Sequence, residues 1–146
     1  MKQILFPACL ALLLCSNATA ADMHDEQHSS AYKTETLAKS SNAWDGSPLP
    51  EYPRGTPEVA VLKITIAPGQ QLPMHKHPVI NAGVVLSGEL MVFTEDNKTL
   101  HLKPGEALIE LVDKWHYGKN EGKVPVEIVV FYASVVGEKL AVSKSK

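Results

Sequence analysis

From Val59 onward the chain becomes a series of short apolar runs broken by turn residues. Val59, Val61 and Thr65 alternate with Ala60, Leu62, Ile64 and Ile66. That period of two predicts a mostly buried strand, stopped by Pro68-Gly69. Residues 79–86 and 89–94 are two further β-rich runs, and Ser87-Gly88 between them reads as the turn of a hairpin. Asp96-Asn97-Lys98 predicts another turn, followed by a strand over 99–103, a Pro104-Gly105 turn and a strand over 107–112. The longest β-branched stretch covers 124–136, with Pro125 near its start. No segment shows a convincing helical period and no repeat recurs, so the expectation is an all-β sandwich or barrel.

Upstream the pattern differs. Lys2 precedes an apolar stretch over 4–14 that only Pro7 interrupts, and Ala18-Thr19-Ala20 places small residues before a cleavage point. Residues 1–20 therefore read as a secretory signal peptide cleaved near Ala20, with a periplasmic or secreted product and no remaining membrane anchor. Leu14 stands before Cys15, where a lipid-attachment signal needs a small residue. Residues 21–57 read as an irregular arm, because the prolines at 48, 50 and 53 lack the backbone donor and restrict their predecessors. Residues 31–40 admit either a helical turn or a short strand. Trp44 and Tyr52 suggest that the arm packs on the domain. The domain itself is expected over 58–136, followed by a tail over 137–146.

Composition narrows the chemistry. Apolar residues make up 45% and charged residues 21% of the 146 positions, close to globular norms. A formal charge of −2 gives no nucleic-acid footprint. Both cysteines lie in the signal segment, so a metal site in the mature chain must use histidine, carboxylate or amide groups.

His75 and His77 are two apart, so on an extended strand both imidazoles share a face, with Lys76 turned the other way. Asn81 keeps the same parity if the chain stays extended past Pro78. Two neutral imidazoles at this spacing form half of a typical transition-metal site. The wider spacing adds to this: Gly69, His75, His77, Asn81 and Gly88, then Gly105, Leu111, Asp113, His116 and Asn120. These positions resemble the two sequence motifs of the cupin superfamily, over roughly residues 58–136. The resemblance implies a double-stranded β-helix, or jelly-roll barrel, with a metal bound by His75, His77 and His116. It also implies a ligand at position 81, where the family carries glutamate and this chain has Asn81. Leu111 and Asp113 replace the family's usual proline and glycine, and aspartate tolerates left-handed backbone.

A neutral amide at 81 leaves a three-histidine site with the full ion charge. Glu110, six before His116, is a substitute carboxylate if its strand turns it inward; the alternative is a solvated strand-end glutamate. Ligand type admits Zn, Mn, Fe, Ni or Cu. His101 reads as a surface residue, and His24 and His28 as parts of a solvated arm. Asn120 reads as a turn residue satisfying backbone groups. Met74, Met91, Phe93, Phe131 and Tyr132 are candidates for the barrel lining. Trp115 and Tyr117 should point away from the site. The leading expectation is an exported cupin-type barrel that binds one divalent metal and a small oxygen-bearing ligand, acting as an oxygenase, isomerase or hydrolase. A non-catalytic binding or sensing module is the second reading and a metal-free scaffold the third. Exposed strand edges would allow a homodimer.

Overall fold

A computed structural model describes residues 32–145. The signal segment, Ala20, His24, His28 and the start of the arm lie outside the described residues. The chain divides into one unit up to Lys33 and a second from Thr34 onward. Of the first unit only Tyr32 and Lys33 are described, and both are exposed. In the second unit no helix occurs among the described residues, and 34–40 form neither helix nor strand.

The strands are β1 (Pro57–Ile66), β2 (His75–Lys76), β3 (Ile80–Ser87), β4 (Leu90–Thr94), β5 (Thr99–Leu102), β6 (Ala107–Ile109), β7 (His116–Lys119), β8 (Val126–Val135) and β9 (Val142–Ser143). They form two antiparallel sheets, ordered β1-β8-β3-β6 and β5-β4-β7-β2-β9. Period-two alternation decides what faces inward. On β8, Val126, Ile128, Val130 and Tyr132 are buried, and on β4, Leu90 and Val92. With Ile66, Val85, Leu102 and Leu108 they make one core between the sheets. This is an all-β barrel, as the turn spacing implied, and its two sheets have the jelly-roll form that the family resemblance implied.

Three expectations need correction. The runs on either side of Ser87-Gly88 do not form a hairpin, because β3 pairs with β6 and β8 while β4 pairs with β5 and β7. The dipeptide carries the chain from one sheet to the other. Gly88 sits at φ 70°, and a Cβ there would lie 2.6 Å from the Pro125 carbonyl oxygen. Only glycine permits that close crossing of backbones. Next, β1 is a strand but not a mostly buried one: it is the edge of its sheet, and Val59 and Val61 face outward, each 62% exposed. Finally, Met91, Phe93 and Phe131 have the parity of the outer surfaces and do not line the interior. Phe131 lies opposite Val61, and Phe93 stacks on Tyr117 with ring centroids 5.2 Å apart.

The arm is fixed in part. Trp44 packs on the core and its backbone N–H donates to the Ile109 carbonyl at 3.0 Å, while Tyr52 remains exposed. Asp45, its carboxylate buried, receives bonds from the Lys114 ammonium at 2.5 Å and from the Ser47 backbone N–H at 2.8 Å. Burial would raise the Asp45 carboxyl, but those donors outweigh it and hold the group well below the usual range. The tail segment supplies β9, which pairs with β2 and so stands beside the histidine strand.

Candidate metal centre

Register brings the first two histidines together. β2 pairs with β7 so that His75 lies directly opposite His116. His77 follows β2 and bridges Val112, and the Asp113 N–H donates to its carbonyl at 2.8 Å. Asp113 holds φ at 56°, the left-handed geometry that aspartate tolerates, and its carboxylate takes a bond from Lys76 at 2.9 Å. The loop between β6 and β7 is thereby folded so that both motifs face one point. The three ring centroids are 4.6 to 5.1 Å apart, and one nitrogen from each ring lies within 4.8 Å of the others. Three atoms each about 2.1 Å from a shared ion lie at most about 3.6 Å apart, so the widest pair must close by up to about 1.2 Å for the rings to share one.

The tautomers are set by backbone. His75 Nδ1 lies 2.8 Å from the Pro73 carbonyl, His77 Nδ1 2.7 Å from the Leu140 carbonyl and His116 Nδ1 2.9 Å from the Lys114 carbonyl. A carbonyl only accepts, so each Nδ1 carries the proton and each Nε2 presents a lone pair. Burial pushes all three imidazoles toward the neutral form, His77 down to about 4. His116 Nε2 is buried and has no hydrogen-bond partner. Three neutral, oriented and converging imidazoles fit a divalent transition metal.

Two more polar groups meet this end of the barrel. Glu110, one residue beyond β6, is buried, and its Oε2 lies 3.5 Å from His116 Nε2 with no hydrogen-bond donor. Burial raises its carboxyl to about 7. The solvated alternative for this residue is excluded. Asn81 is buried on β3 and its Nδ2 donates to the Val79 carbonyl at 3.3 Å, while its Oδ1 has no partner. The Glu110 N–H donates to the Asn81 carbonyl at 3.0 Å, so the two residues face each other across the ladder. A cavity of about 40 Å³ opens beside the histidines, lined by Glu110, Tyr132 and aliphatic side chains. Burial lifts the Tyr132 hydroxyl to about 12, keeping it a neutral donor.

The remaining candidates fall outside the site. His101 is exposed and meets Glu89 at 2.6 Å. Asn120 is fully buried and structural, donating to the Ile66 and Val124 carbonyls and accepting from the Gly122 N–H. Trp115 lies under the ammonium groups of Lys76 and Lys144. Sequence reasoning missed the Leu140 carbonyl, because nothing in a tail rich in Lys and Ser marks a backbone atom as a partner for His77.

Residues 62–132 match the family model described as the cupin domain. That segment is a domain of the cupin superfamily. Among solved structures, this cupin is similar to oxalate oxidase in complex with the substrate analogue glycolate. Identity is 28%, the TM-score is 0.51, and the match covers 58% of this chain but 45% of that one. A Klebsiella pneumoniae protein with a double-stranded β-helix domain matches at 25% identity and TM-score 0.53, over 86% of this chain and 99% of its own. The Bacillus subtilis oxalate decarboxylase, described by its Mn(II) centres, shares the fold at 23% identity and TM-score 0.50, over 58% of this chain and 23% of its own. No curated protein matches the cupin by sequence.

Proposed function

We propose that this protein is an exported cupin that holds one divalent transition metal on His75, His77 and His116, with Asn81 beside them. On this reading its open coordination positions bind and turn over a small carboxylate. The observation that carries the reading is the set of three Nε2 lone pairs aimed at one point by three backbone carbonyls. A bound divalent ion would act as a Lewis acid toward an oxygen ligand. The chain's own part is to keep the imidazoles neutral, to exclude bulk water with aliphatic walls and to offer the Tyr132 hydroxyl as a donor. Size limits the ligand. A cavity of about 40 Å³ has room for about three water-sized groups, since one needs roughly 10–15 Å³ on this measure. The glycolate held by oxalate oxidase is of that class.

Elemental analysis of the mature protein, isolated without nickel affinity, should find one equivalent of a transition metal, and His77→Ala should lose it. Retained stoichiometric metal in His77→Ala would overturn the ligand assignment. Calorimetry with glycolate and oxalate, with oxygen consumption measured in parallel, then separates turnover from binding alone. N-terminal sequencing of exported protein tests cleavage near Ala20. The outer face bearing Val59, Val61 and Phe131 is open to a second copy, which sedimentation at rising concentration would reveal.

A further inference from the structure

Building on the metal reading above, we infer that Glu110 is the anionic ligand of the site, reaching it from the end of β6 across the ladder from Asn81. The argument is one of unmatched acceptors. With every Nδ1–H committed to a backbone carbonyl, the imidazoles arrive at the cavity as acceptors only. Glu110 Oε2 stands 3.5 Å from one of them, His116 Nε2, and neither atom has a hydrogen-bond partner. Asn81 adds to this: its Nδ2 donates to the Val79 carbonyl, and its Oδ1 is a further unpartnered acceptor. Buried acceptors facing acceptors are costly, and a cation satisfies all of them at once.

Charge and position select Glu110 within that group. It is the one carboxylate among the residues lining the cavity. A carboxylate would cancel part of the ion's charge, which the neutral imidazoles and a neutral amide cannot do. The side chain is also placed for the role. The register of β3 on β6, Ala82 opposite Ile109, puts position 110 across from position 81, so both side chains enter the interior from neighbouring strands. The compact set of ligating nitrogens comprises the histidines alone, and Glu110 joins it by rotation about its side-chain torsions. Asn81 then borders the carboxylate instead of meeting the ion.

The test is titration of the full mature chain with Co(II), followed by optical absorption and calorimetry, for wild type and Glu110→Gln. Wild type should take up one equivalent. Glu110→Gln should bind more than about 100-fold more weakly, beyond the 10–100-fold typical of groups that only orient a ligand. Its Co(II) visible bands should also change in intensity. Unchanged affinity and spectrum in Glu110→Gln would overturn the assignment. Should that variant fail to fold, the infrared difference spectrum of wild type on adding Zn(II), with glutamate ¹³C-labelled, answers the same question. A labelled carboxylate band that shifts supports the assignment, and one that stays fixed overturns it. A wild-type chain that takes up no Co(II) instead removes the three-histidine reading itself, which is a distinguishable result.

Discussion

Glu110→Gln in the metal-free protein should change how stability depends on pH. Burial raises this carboxyl from an ordinary 4.5 to about 7. Between those values the native state holds a proton that the unfolded chain has released, so stability falls as pH rises across the window. At about 1.4 kcal/mol per pH unit, a rise of about 2.5 units amounts to about 3 kcal/mol. The contribution is fully present below about pH 4.5 and gone above about pH 7. The histidines act in the opposite sense. Unfolded imidazoles protonate near 6.5, while His77 in the fold waits until about 4, with His75 and His116 shifted in the same direction. Their contribution is present above about pH 6.5 and is lost as pH falls. In wild type the two trends offset each other. Removing the carboxylate leaves the histidine trend alone. Urea unfolding in the presence of chelator, at about pH 5 and about pH 8, should show Glu110→Gln gaining about 2.5 kcal/mol relative to wild type between the two conditions. Parallel stability–pH curves for the two proteins would refute the account of a carboxyl that burial keeps protonated.

Other consequences can be checked on the same preparations. Gly88→Ala combines left-handed backbone with a Cβ at 2.6 Å from the Pro125 oxygen and 2.9 Å from Val126 Cα, so it should cost about 3 kcal/mol or more. Gly105→Ala, at φ +86° with nothing within 4 Å, should cost about 1 kcal/mol, and equal losses in urea unfolding would contradict the crossover geometry. Asp45→Asn removes the charge that Lys98 and Lys114 share, and should destabilise by about 2 kcal/mol after discounting for the exposed lysines. Because the folded Asp45 carboxyl sits below its ordinary 3.8, its contribution is present above that pH and lost in acid. The variant should therefore flatten the acid limb, and a limb of unchanged steepness would count against the buried Asp45 carboxylate as its source.

Much of the site was legible before any coordinates. The spacing of His75, His77 and His116 among glycines resembles the cupin motifs, and that resemblance implied one metal centre in a β-barrel. The left-handed Asp113 was foreseeable because few other residues tolerate that geometry. Burial was less legible. The 107–112 run is apolar at nearly every position, so period two could not say which side Glu110 takes. Only the buried Leu108, two residues earlier, fixes its face as inward. The hairpin reading failed because Ser87-Gly88 has the composition of a tight turn, and composition does not say which sheet the next strand joins.

Local chemistry thus settled what depends on neighbours in the chain: where strands start and stop, which turns admit positive φ, and which ring pairs share a side. Tertiary structure decided what depends on distant partners. It made β1 an edge, since that is a matter of what lies beyond it. It also brought the Leu140 carbonyl, 63 residues away, to His77, and set Glu110 against His116. The physical reason is range: backbone preferences act over a few residues, whereas desolvation and ligand convergence are properties of groups that meet only when the sheets close.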